Sequence, residues 1–182
     1  MDCDFDQHSL NTTRLVLAHI VRDAPLAQIL NTIITGVEEQ NPGMVLGLFL
    51  KEEGHLLRFF SIANLPQAYR SAIDEMIANG MLQSDDENIE ASGILSQFCN
   101  TAKEHGPHEA PLSSIPFGTH GFSGFFISHY QQLQNSNTHC QQAINDAAAL
   151  ASIAIDRHNA EARIKRAEDA LHQNGTIMAL AI

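Results

Sequence analysis

The sequence predicts an α+β domain built on an antiparallel sheet, and three observations carry that prediction. Two short apolar runs, "MVLGLFL" (44–50) and "HLLRFFSIA" (55–63), are separated by "KEEG" and read as a hairpin. A second pair of strands, "LSSIPF" (112–117) and "GFSGFFISHY" (121–130), meets at the turn "GTHG" (118–121). Apolar residues at helical spacing fill the stretches before, between and after these runs.

The first helix is expected over residues 12–22, "TTRLVLAHIVR", behind an acidic tail at 1–10. Leu15, Ala18, His19 and Arg22 share one face of it, with Val16, Leu17, Ile20 and Val21 around them. In "DAPLAQILNTIITGVEEQNPG", Leu26, Ile29, Leu30, Ile33, Ile34 and Val37 recur at three-and-four spacing, which predicts one amphipathic helix. Asp23 and Pro25 suit its start, and "NPG" at 41–43 stops it. The strand that follows is apolar on both faces and should therefore be central. "NLPQAYRSAIDEMIANG" predicts another helix, with Pro66 in its first turn, Ala72, Ile73, Met76 and Ile77 facing inward and Gly80 as its stop. Residues 81–110 begin with an acidic patch containing "DDE" (85–87), carry a short helix from about Ser92 to Ala102, and end in a turn with Gly and Pro. The last element is a long helix over roughly 138–173.

Composition narrows the function classes. Hydrophobic residues at 44% and charged residues at 17% describe an ordered globular chain of 182 residues, sized for one domain plus an extension. No apolar run approaches a membrane span, and the N-terminus lacks the basic start and apolar centre of a secretion signal, so the cytoplasm is expected. A net charge of −11 argues against nucleic acid and anionic membrane surfaces as partners. Cys3, Cys99 and Cys140 are few, odd in number and far apart, which suits reduced thiols.

The closing helix carries a second pattern. Leu150, Ile153, Arg157, Ala160, Ile164, Ala167 and Leu171 follow a seven-residue repeat, while Glu161, Arg163, Lys165, Arg166 and Glu168 fill positions between them. A single helix would leave that seam in water, so a homodimer with parallel helices is expected. The alternative is a seam that folds back on its own domain or frays. The chain thus divides into a tail (1–10), a domain (11–157) and a connecting helix with the start of a linker or next domain (158–182).

Four stretches, "APLAQILNTIITGVEEQNPGMVLGLFL", "NLPQAYRSAID", "SSIPFGTHGFSGFFISHYQ" and "AAALASIAIDRHNAEARIKRAEDAL", resemble the GAF domains of bacterial signalling proteins, found upstream of PAS, GGDEF, EAL or histidine-kinase modules. The resemblance is spread over about residues 11–170. It implies a GAF-like antiparallel sheet with the N- and C-terminal helices on one face and a crossover lid on the other. It also implies a ligand pocket under that lid and a terminal helix that reports to a downstream signalling domain. The chain departs from the pattern in a shorter crossover, in "SSIPF" where a "WSTPI"-like strand is usual, and in Phe125 where a small residue usually follows the last-strand glycine.

From that geometry the pocket would be lined by Phe59, Ser61, Ser113, Ile115, Phe117 and Phe125 from the strands, with His105 and His108 from the lid. A register error of one residue would exchange every strand choice. Ten histidines raise the question of a metal: His105, His108, His120 and His129 with Cys99 fall around the crossover and the last strands. Structural zinc sites use tighter paired motifs than "HGPH", so solvated turn histidines and no metal are expected. Titration near neutrality leaves a pH-sensing role for His105 or His108 open. Cys99 is the one crossover cysteine that could attach a bilin, and the cofactor is left unknown. No serine sits in a G-x-S-x-G turn and no phosphate-loop pattern occurs. The expectation is a non-catalytic sensory domain that binds a small ligand, dimerises and relays binding through its last helix; the alternative is a GAF-like structural dimerisation module without ligand.

Overall fold

A computed structural model describes residues 2–51, 57–61, 66–79, 100, 101, 103, 104, 112–116, 122–130 and 138–180. These form α1 (Asp2–Val21), α2 (Leu26–Gln40), β1 (Met44–Lys51), β2 (Leu57–Ser61), α3 (Gln67–Ala78), β3 (Leu112–Pro116), β4 (Phe122–Tyr130) and α4 (Thr138–Leu180). The strands make one antiparallel sheet in the order β2-β1-β4-β3. The α+β expectation holds, and β1 is interior as its two apolar faces required.

Alternation along β1 divides its residues between two layers. Met44, Leu46 and Leu48 join Phe126 of β4 in a core with Val16 of α1, Ile29, Leu30, Ile33, Ile34 and Val37 of α2, and Ile144 and Ile155 of α4. Helix α4 enters this core through Ala143, Ala147, Ala148, Ala151 and Ala154, whose small side chains let its backbone approach the sheet. Helix α1 lies against α2 so closely that a Cβ added at Gly36 would fall 2.3 Å from Thr12 Cγ2. At Gly124 an added Cβ would stand 2.2 Å from the Phe49 carbonyl oxygen of the neighbouring strand, so only glycine fits there.

Three boundaries differ from expectation. Helix α1 starts at Asp2 rather than near Thr12, so the stretch expected as a tail continues the helix. Asp23 does not start α2. It ends α1 in the left-handed region at φ 55°, with the Ala24 N–H donating to His19 O at 3.0 Å and the Asp23 N–H to Ile20 O at 3.3 Å. That bond pair is the Schellman closure, usually built on glycine. Pro25 takes the N-cap of α2 without a side-chain cap bond. Helix α4 continues through Gly175 to Leu180, past the expected end near 173, because one glycine weakens a helix by only about 1 kcal/mol. Of the short helix expected over 92–102, residues 100 and 101 are helical, as are 103 and 104 beyond it; 92–99 lie outside the described residues.

The junction of α2 with β1 is pinned by polar groups. Asn41 is buried; its Nδ2 donates to Val37 O at 2.8 Å, and the Cys140 thiol donates to its Oδ1 at 3.0 Å, tying the first turn of α4 to the end of α2. Among the described residues β2 pairs with β1 only over Leu48–Lys51. Glu38 Oε1 serves the strand before that point, accepting the Leu46 N–H at 2.9 Å. Burial raises the Glu38 carboxyl above its usual range, opposed by this hydrogen bond.

Candidate functional site

Two regions carry functional geometry: the sheet face turned away from the main helical core, and the outer stripe of the helices. On the first, Val45 and Phe49 of β1 and Phe125 and Ile127 of β4 are buried and stand outside the helix-side core. Phe49 and Phe125 pair across the strands, with ring centroids 5.0 Å apart and planes within 9° of parallel. Offset stacking of this kind adds about 0.5–1.5 kcal/mol to the burial of the two rings. Tyr69, Ile73 and Met76 of α3 are also buried outside the helix-side core, and Thr101 Oγ1 donates to Met76 Sδ at 3.3 Å.

The ladder sorts the residues expected to line a pocket. Phe59 pairs with Phe49, and Phe49 with Phe125, so Phe59 and Phe125 lie in one cross-strand row. Ser61 pairs with Leu48 across a register shift between Leu48 and Phe49. Ser113 and Ile115 do not share the row: they pair with Phe126 and Gly124, while Ser114 pairs with Phe125. Ser114, one residue from both Ser113 and Ile115, is thus the β3 residue level with Phe125. His105, His108, Phe117, His120 and Cys99 lie outside the described residues. Phe49 is the residue sequence reasoning missed. Its strand is apolar at every position but Gly47 between Met44 and Leu50, so alternation gave no signal for its face.

A groove of about 570 Å³ does occur among the described residues, but on the other side of the molecule, between α1 and α2. Its walls include Asn11, Thr12, Gln28, Asn31, Thr35 and Gln40, and it opens broadly to solvent. Leu15, Pro25 and Ala27 line it as well, and it is an open groove rather than an enclosed ligand cavity.

The outer stripe is divided. Leu150 packs against the core of its own chain, and Arg157 donates through Nη2 to Asp23 Oδ1 and through Nε to Glu161 Oε1 at 2.6 Å. These two seam positions thus have partners within their own chain. The rest of the seam is bare: Ile153 is 51% exposed, Ile164 60% and Leu171 71%, with Ala160 and Ala167 exposed between them. From Asp156 to His172 no residue of α4 is buried. Helix α1, which touches α4, adds Leu10, Leu17 and Val21 to the exposed apolar residues. Leu10 and Leu17 stand seven apart with Val21 four further on, a spacing that was hidden because the first ten residues were read as a tail. No helix among the described residues is long and apolar enough to cross a membrane.

No protein-family model matches the chain, and no curated protein matches it. Solved structures do. A domain assigned to a two-component sensor histidine kinase of Sinorhizobium meliloti 1021 superposes with a TM-score of 0.52 at 16% identity, covering 76% of this chain and 95% of that one. The GAF domain of an Acinetobacter phosphoenolpyruvate-protein phosphotransferase gives 0.49 at 13% identity, covering 83% and 94%. Residues 122 to 287 of a methyl-accepting chemotaxis protein give 0.47 at 13%, covering 84% and 96%. At these identities the likeness is one of fold: the chain is a mixed α+β domain whose backbone follows that of the sensor-kinase domain, and a GAF domain is among the structures similar to it.

Proposed function

We propose that the chain is a non-catalytic sensory domain that forms a homodimer along its outer helices and passes the state of its sheet to whatever follows α4. The observation that carries this reading is the bare apolar seam. Ile153 stands on the outer face of α4 beside its own core, Ile164 and Leu171 follow beyond the buried Ile155, and covering such an apolar stripe is favourable. The GAF-like sequence pattern and the fold shared with a sensor-kinase domain support a regulatory role at the head of a longer signalling chain. In a parallel pair, Arg163 and Glu168 hold the positions that flank the seam and attract one another between copies. A ligand would act through a difference in affinity between two arrangements of the helix pair.

A second reading, a dimerisation module without ligand, is favoured by one observation: the Phe49–Phe125 stack fills part of the face where a ligand would sit. Two measurements separate the outcomes. Analytical ultracentrifugation at tens of micromolar should show a dimer, and a monomer there ends the dimer reading. A thermal-shift screen over nucleotides, amino acids and tetrapyrroles should then reveal a stabiliser, since ligand at 100 times its dissociation constant adds roughly 2.7 kcal/mol. A silent screen with a stable dimer leaves the second reading standing.

A further inference from the structure

The contact between Asp23 and Arg157 joins residues 134 positions apart in the chain, at the point where α4 leaves the domain. On one side stands the corner between α1 and α2. Asp23 occupies the left-handed closing position of α1, where a side chain is disfavoured and glycine is the usual choice. On the other side stands Arg157, two residues after the buried Ile155 and at the start of a stretch, 156–172, with no buried residue. Its guanidinium is forked: Nη2 donates to Asp23, Nε donates to Glu161 one turn further on, and Nη1 is buried with no acceptor among the described residues.

We infer that Asp23, Arg157 and Glu161 form a latch that clamps the root of the exit helix to the α1–α2 corner, so that the direction of α4 follows the end of α1. Three features point the same way. The closing position of α1 is held by aspartate, a residue that tolerates the left-handed region, where glycine would close the helix but bring no carboxylate to the guanidinium. That guanidinium stands at a seam position where two unneutralised copies would repel each other, and its two carboxylate partners come from its own chain. Glu161 extends the hold by one turn into a stretch, 158–172, in which no residue is buried. The latch gives α1 a route to α4 that bypasses the sheet, so a rotation of α1 imposed from its N-terminal side reaches the exit helix through one polar contact. The inference concerns contacts within one chain and does not depend on dimer formation.

Amide hydrogen exchange across 158–165 tests it, measured on the whole chain at two concentrations so that any protection due to a partner copy is separated. Asp23→Asn tolerates the left-handed backbone and removes the charge; it should speed exchange in that segment about two- to five-fold, the range that a partly exposed ion pair supplies. Arg157→Gln should do the same, and the double variant should be no faster than either single one. Asp23→Gly provides the split readout: its backbone suits the corner better, so the urea midpoint should hold or rise while exchange in α4 still accelerates. Unchanged exchange in Asp23→Asn, additive effects in the double variant, or loss of midpoint in step with faster exchange in Asp23→Gly would each overturn the latch.

Discussion

The packing of α1 on α2 decides where the apolar stripe of α1 faces, and Gly36→Ala tests it most directly. Two opposed terms set the outcome. In a helix interior alanine is better than glycine by about 1 kcal/mol, so on an open face the substitution would stabilise. Here the new Cβ would meet Thr12 Cγ2 at 2.3 Å, Oγ1 at 2.5 Å and Cβ at 3.0 Å. Rotating Thr12 relieves the first two contacts and leaves the third, because Cβ moves only with the backbone. The helices must therefore part, and overpacking of this kind costs roughly 1–3 kcal/mol. The net expectation is a loss of up to about 2 kcal/mol, the difference of the two ranges. Thr12→Ala in the same chain removes Cγ2 and Oγ1 at the expense of the 3.3 Å bond from Gln40 Nε2 but keeps Cβ, so it should restore only the part of the loss that comes from forcing the Thr12 rotamer. Urea unfolding of wild type, both single variants and the double variant at one fixed chain concentration gives the coupling directly, since oligomerisation makes midpoints concentration-dependent. A Gly36→Ala protein about 1 kcal/mol more stable than wild type would refute the close approach and the placement of α1 with it.

Other perturbations follow from the same contacts. Ile164→Asp places a charge at the centre of the bare seam and should shift the sedimentation of the proposed dimer toward monomer with the far-ultraviolet spectrum intact; a dimer unchanged by it would remove the seam from the interface. Phe125→Ala deletes a buried ring and its stacking partner's contact, and should cost about 3–5 kcal/mol in urea unfolding. Phe49→Ala should cost less on that background than alone, and additive losses would show that the stack is not a unit. Glu38→Gln keeps an oxygen for the Leu46 N–H and removes the buried charge. Because burial raises the folded carboxyl above its unfolded value, the wild-type protein loses stability as pH rises through the carboxylate range. The Gln variant should therefore gain on wild type over that rise and keep a constant advantage above it. Glu38→Ala instead strands a buried N–H and should lose about 1–3 kcal/mol across the whole range.

Much of the fold was legible because the apolar spacing was unambiguous. Leu30, Ile33 and Val37 of α2 read as helix from sequence and are buried, and the hairpin runs place β1 and β2 within a residue or two of their ends. What stayed hidden shares a cause: the deciding contact lies far away in sequence. Asp23 looked like a helix start because acidic residues favour that position, yet its backbone closes α1 and its carboxylate meets a residue 134 positions on. Arg157 fitted the heptad count, which registers spacing and not an ion pair with another element. Residues 1–10, "MDCDFDQHSL", show no apolar periodicity, and α1 still extends back to Asp2 because an existing helix adds turns at little cost. For the candidate site, the identity of Phe125 as a bulky floor residue was readable, but its partner Phe49 and the register of β3 were not, since a strand apolar on both faces does not announce which residue faces where.

The path from sheet to exit helix is short in physical terms. Phe125 and Phe126 are neighbours in β4 and lie on opposite faces; the first stacks on Phe49, and the second belongs to the core that receives α4. A group pressed against the Phe125 ring would displace the strand backbone, and Phe126 would carry that displacement to the helical side. There it meets a helix whose buried face is mostly alanine: Ala143, Ala147, Ala148, Ala151 and Ala154. Alanine has no side-chain rotamers with which to absorb a shift, and a close-packed core has no free volume to hide it. On the proposed sensory reading, the displacement would be taken up by α4 as a body. A leucine-rich face would repack and damp the same motion, so replacing Ala148 and Ala151 by larger residues should weaken any coupling between the sheet face and the seam before it abolishes folding.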